Sequence, residues 1–202
     1  MQRGWSCAAA SAAEEGVPIA DHGDAPDDDH SYGRNDEWHD PVTGLPRPGC
    51  FLEHLERLLA TPGRAPRSIA MLVLEVADFH VQRAQLGKPW CDELLRTIAE
   101  RLHEEVPEPN LVTRLRDGAF AIVLRDLGPE VMPEALATHL LERANEPWPT
   151  GDRLLRWAVI GALALPVDRA ETAIQLFDRA TLALARGKLR SAAQAGSYLS
   201  LG

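Results

Sequence analysis

Apolar residues recur along this chain in two rhythms, and the changes between them mark out its elements. Phe51, Leu55, Leu58 and Leu59 return at helical spacing with Glu53, Glu56 and Arg57 opposite, which predicts an amphipathic helix over about 48–60. Ser68 to Ala77 (SIAMLVLEVA) is a continuous apolar run, as expected of a strand buried on both faces. Its one misfit is Glu75, a carboxylate that belongs either in water at the strand end or in a site. A helix over about 88–105 carries Trp90, Leu94, Ile98 and Leu102 at intervals of four, with Leu95 and Ala99 widening a core-facing stripe. Pro107 and Pro109 end it. Leu111–Leu115 and Phe120–Leu124 then read as paired strands, because the intervening Asp117-Gly118 suits a type I′ turn, which needs positive φ at both central residues. A helix over about 130–145 bears Leu136, Leu140 and Leu141, and Leu154–Leu165 is a further apolar strand. The last helix, about 169–187, puts Ile174, Phe177, Ala180 and Leu184 on one side, and a short strand near Ser197–Leu201 closes the series. The order α-β-α-β-β-α-β-α-β describes an α/β (α+β) domain with a mixed five-stranded sheet flanked by helices.

Charge separates this domain from what precedes it. Residues 1–40 hold ten acids against two basic residues, whereas the remaining 162 hold twenty against nineteen, out of a net charge of −9. The segment 1–38 reads as an acidic disordered tail, too polar to offset its ordering entropy by burial, and 39–202 as the folded domain. His22, His30 and His39 stand among its aspartates without a recognised ligand spacing, so no metal site is expected there. No basic face argues for nucleic-acid binding, and no apolar run approaches the roughly 18 residues that span a membrane. Cys7, Cys50 and Cys91 form neither a disulfide framework nor a metal spacing, and the start lacks a secretory signal's apolar region. Together these make the cytoplasm the expected compartment.

Three motifs carry a family resemblance. Asp40-Pro41-Val42-Thr43-Gly44-Leu45-Pro46-Arg47 matches the Asp-x-Leu-Thr-Gly-Leu-Pro-Asn-Arg segment that opens GGDEF domains. Arg114-Leu115-Arg116-Asp117-Gly118-Ala119-Phe120 falls where that family has Arg-Leu-Gly-Gly-Asp/Glu-Glu-Phe, and Ala180–Lys188 resembles its closing Ala-Asp-x-Ala-Leu-Tyr-x-Ala-Lys. The chain resembles a diguanylate cyclase-like GGDEF domain over about 40–200, which implies the nucleotide-cyclase palm. The resemblance also implies a chemistry. GGDEF enzymes join two GTP molecules into cyclic di-GMP across an antiparallel homodimer, with two Mg²⁺ ions held between phosphates and carboxylates.

Position by position, that machinery is incomplete. Glu75 stands at the first metal carboxylate, but the hairpin carboxylate falls on Gly118, the next acid on Ala119, and the phosphate-admitting glycines on Arg116 and Asp117. Asp117 cannot substitute from one residue away, because side chains alternate faces along a strand. The guanine-reading Asn corresponds to Arg83, which offers donors only, and the strand-end Lys to His80. Asp92 and Lys188 are retained, whereas the Arg after Lys188 is Ala192. The product-binding Arg-x-x-Asp falls on Pro107 and Asn110. The expectation is a GGDEF-like domain with no catalytic residues, metal or cofactor of its own. It would act as a protein-interaction or regulatory module on a PilZ-type receptor, an EAL phosphodiesterase or an active cyclase. The alternatives are a GTP or cyclic di-GMP sensor using Glu75, Asp92 and Lys188, and, last, a residual cyclase. Each retained residue also has a structural reading: Glu75 as a solvated strand end, Asp92 and Lys188 as charges complementing the dipoles of their helices.

Overall fold

The computed structural model describes residues 38–62, 68–107, 110–150, 153–191 and 199–201. The acidic segment 1–37 and Ala192 lie outside them. The elements are α1 (Pro48–Leu59), β1 (Ala70–Val76), α2 (Phe79–Leu86), α3 (Lys88–Glu105), β2 (Leu111–Arg114), β3 (Ala119–Leu124), α4 (Pro133–Ala144), β4 (Trp148–Thr150), β5 (Arg153–Leu155), β6 (Val159–Ala164), α5 (Ala173–Ser191) and β7 (Leu199–Leu201).

Five strands form one sheet in the order β2-β3-β1-β6-β7, with β7 parallel to β6 and the other pairs antiparallel. The apolar run of β1 takes the central place, where both faces are covered. Alternation divides its side chains between two cores. Ala70, Leu72, Leu74 and Val76 join Phe120 and Ile122 against α3 and α4, while Met71 and Val73 join Ala121, Val123 and Ala162 against α1 and α5. The predicted α/β sandwich is therefore observed, with the antiparallel β2–β3 hairpin at one edge.

Several local expectations are corrected. A helix, α2, follows β1 where no helix is expected; it is short and buries only Phe79, so it lacks the apolar stripe that announces a helix. The strand expected over Leu154–Leu165 divides into β5, which pairs with β4 in a separate two-stranded ribbon, and β6. Leu154 is 65% exposed and belongs to neither core. Trp90, expected in the core, is 41% exposed, and Ile174, placed on the apolar side of the last helix, is 63% exposed; Cys91 and Leu176 take the buried places beside them. The hairpin turn is not type I′. Asp117 has φ 47°, Gly118 is not among the positive-φ residues, and the turn closes through an Ala119 N–H to Arg116 carbonyl bond of 2.8 Å.

Candidate functional site

The site region lies at the carboxyl end of β1, where β1, the β2–β3 turn, the start of α2 and the end of α5 meet. The leading segment is fastened to it first. Gly44 (φ 71°) lets the chain reverse so that its N–H reaches the Asp40 carbonyl at 2.8 Å and the Asp40 N–H reaches the Leu45 carbonyl at 2.8 Å. The Asp40 Oδ1 then accepts from the Thr43 N–H and hydroxyl, both at 2.9 Å, and from the Arg114 Nη1 at 2.7 Å. Arg114 Nη2 also donates to the Asp117 carbonyl at 3.1 Å. The buried hydroxyl of Thr113 donates to the Pro46 carbonyl. Burial alone would raise the Asp40 carboxyl, but the hydrogen bonds from Arg114 and Thr43 and the Arg114 charge outweigh it, and the net shift is downward. In the sequence Asp40 and Arg114 stand out only as motif flanks. Their 74-residue separation hides a pairing that the fold creates.

Glu75 sits opposite Ala119 on β3 and Ile160 on β6. By alternation it shares the face of Met71 and Val73, which is the α5 face, and there Lys188 donates to its carboxylate. Glu75 is thus neither a simple solvated strand end nor an open ligand. Both partners are partly exposed, so the pair contributes less than about 1 kcal/mol. Glu75→Gln is accordingly expected to lower thermal stability only slightly, a result that a melting curve would check.

Gly118 faces the other core. A Cβ built there would lie 2.8 Å from Phe79 Cγ and Cδ2 and 3.1 Å from its Cβ. These atoms sit close to the α2 backbone, so ring rotation cannot clear them. The glycine is needed for this contact and not for its φ. Asp117 turns its carboxylate toward His80, at 3.5 Å on a mostly exposed surface.

The remaining predicted residues are spread around this centre. Asp92 lies in the second turn of α3, is 16% exposed and pairs with Lys88; it is not in the first turn, so it does not serve the helix dipole. Arg83 is exposed on α2. Asn110 is engaged within the chain, donating from Nδ2 to the Pro107 carbonyl of its own loop at 3.0 Å and accepting from the Arg125 N–H just beyond β3 at 2.8 Å. Of Glu75, Asp92 and Lys188, only the first and last touch. Arg116 is exposed and Phe120 fully buried, so the signature's last residue is a core residue.

The sequence model described as "Diguanylate cyclase, GGDEF domain" matches residues 37–194. The chain belongs to the GGDEF family. That membership places it among the domains of bacterial cyclic di-GMP signalling. It is 25% identical over 154 residues to the signaling protein YkoW of Bacillus subtilis, covering 76% of this chain and 19% of that protein. It is 27% identical over 161 residues to the diguanylate cyclase TpbB of Pseudomonas aeruginosa, covering 76% of this chain and 37% of the cyclase. The chain therefore spans well under half the length of either relative. The solved GGDEF domain of TpbB matches with a TM-score of 0.68 at 25% identity, over 81% of this chain and 93% of that one. The FimX GGDEF domain from Pseudomonas aeruginosa shares the fold, with a TM-score of 0.67 at 22% identity over 82% of this chain and 99% of that one. Among the described residues, no helix is long and apolar enough to cross a membrane.

A GGDEF fold implies Mg²⁺, and the residues here do not fit it. A hard dication needs several oxygen ligands, yet the hairpin place is a glycine packed against a phenyl ring and the strand carboxylate is engaged by an ammonium.

Proposed function

We propose that this GGDEF domain does not turn over GTP and works as a regulatory, protein-interaction module of cyclic di-GMP signalling. The observation that carries the reading is the contact of Phe79 with Gly118. It fills the space where the family resemblance calls for a metal-binding carboxylate. The Glu75–Lys188 pair supports it further, since one neutralised carboxylate is a poor holder for two dications. Base recognition is weakened in the same sense, because Arg83 offers no acceptor to guanine. At the product-binding place, Asn110 is spent on the Pro107 carbonyl and the Arg125 N–H.

The fold itself supports a partner role. The diguanylate cyclase SiaD of Pseudomonas aeruginosa has been solved in complex with its activator SiaC. The partner classes that suit this chain are a PilZ-type receptor, an EAL phosphodiesterase or an active cyclase.

The test is incubation with GTP and Mg²⁺, analysed by chromatography for cyclic di-GMP and the linear dinucleotide, together with calorimetric titration of GTP and of cyclic di-GMP. Neither product nor heat is expected. Cyclic di-GMP formation would overturn the proposal. Micromolar GTP binding without product would favour a nucleotide sensor. Loss of that binding in Asp92→Ala would then assign it to the old substrate pocket.

A further inference from the structure

Three of the chain's five tryptophans meet beside the start of α3. Trp90, at the start of α3, lies 6.0 Å from Trp148 of β4 between ring centroids, with the planes at 73°. Trp148 stacks on Trp157 at 6.2 Å and 28°. Pro89, Trp90, Glu93 and Trp148 line an open cleft of about 330 Å³. Its wall is braced from behind: Arg101 on α3 donates to the carbonyls of Glu146 and Pro147, at 2.5 and 3.0 Å, immediately before Trp148. Trp90 is 41% exposed although it lies against this braced second indole, so an aromatic face stays open to solvent beside the cleft.

We infer that this cleft docks an arginine side chain presented by a partner protein. The geometry narrows the ligand. Two indoles near a right angle make a corner, whereas a planar base needs a parallel slot and a proline-rich helix a row of aromatic ridges. Indole faces are electron-rich and attract cations. Glu93, one helical turn on from Trp90, sets a carboxylate on the rim of the same corner. Among the described residues that carboxylate makes one ion pair, a surface contact with Arg96 at 2.8 Å with both side chains about half exposed, weak enough to be exchanged for an incoming cation. The openness of the cleft selects guanidinium over ammonium. A guanidinium is weakly hydrated, stacks flat on an indole and still forks to a carboxylate, whereas an ammonium must be stripped of water in a closed cage. The inference concerns a surface separate from the Gly118 region, so it stands or falls independently of the cyclase question.

The test follows the indole N–H signals of the folded chain by two-dimensional NMR while N-acetyl-arginine amide is added, each of the five signals assigned by a Trp→Phe variant. Saturable shifts on Trp90 and Trp148 are expected, weakened about fivefold in Trp90→Leu and in Glu93→Gln. The Glu93 change is at an exposed position and keeps the fold, which the unperturbed Trp157 signal verifies. N-acetyl-lysine amide should bind more weakly. Absence of saturable shifts with the arginine probe, an unchanged response in Glu93→Gln, or stronger binding of a neutral proline-rich hexapeptide would each overturn the inference.

Discussion

Restoring the family's hairpin carboxylate by Gly118→Asp is expected to destabilise the protein without creating a cyclase. Even Gly118→Ala places a Cβ 2.8 Å from the Phe79 ring, and the atoms it meets include Cγ, which cannot swing away without moving α2. Overpacking of this kind costs about 1–3 kcal/mol, and the aspartate adds the desolvation of a carboxylate at a buried position. A total of roughly 3–4 kcal/mol lowers the melting temperature by about 6–15 °C in a chain of this size. The cause is checked by pairing the change with Phe79→Leu. If the Phe79 contact is responsible, Gly118→Ala should cost much less in the Phe79→Leu background than in the native one, because two residues in contact do not act additively. A Gly118→Asp variant that melts like the native protein and makes cyclic di-GMP would show that the hairpin place is open after all.

Cutting the bond between the leading segment and the hairpin should be nearly as costly. Among the described residues, Asp40→Ala leaves Arg114 with the Asp117 carbonyl alone, and it removes the acceptor of the Thr43 N–H and hydroxyl. Losing charge-assisted bonds at such a site costs roughly 2–3 kcal/mol. Arg114→Ala should cost a similar amount, and the double variant little more than either alone, since both remove one interaction. The same pair predicts a pH dependence. The Asp40 carboxyl is held below its ordinary value of 3.8, so the folded state binds that proton less readily than the unfolded chain. Its contribution is therefore present above 3.8 and is lost as pH falls through the lower folded value. Denaturant melts of the native protein and Asp40→Asn should differ most near neutrality and converge as the pH falls below 3.8. A constant difference as the pH falls would mean that the carboxylate's charge is not what Arg114 uses.

Fold and site differ in how far the chain announces them, and particular residues show why. The run Ala70–Val76 declares a doubly covered strand because every position in it is apolar except Glu75, and burial on both faces has no other composition available. The helices α1, α3, α4 and α5 declare themselves through the stripes that their cores require. Element α2 does not, because a single buried ring carries its packing and a stripe never forms. Trp90 has the spacing of a core residue, yet spacing specifies a face and not its cover; the β4–β5 ribbon, absent from the sequence reading, supplies a second tryptophan instead of a core.

The sequence by itself determined the family, the sheet's central strand and the absence of a carboxylate at Gly118, since each is written in residue identity or local period. Only the tertiary structure decided what occupies the space left by that absence. Residues 79 and 118, 40 and 114, and 75 and 188 are far apart along the chain, and each pair meets because the sheet brings β1, the hairpin and α5 to one end. Such contacts depend on strand register and helix placement, which are properties of the whole packed chain and leave no mark on any one segment.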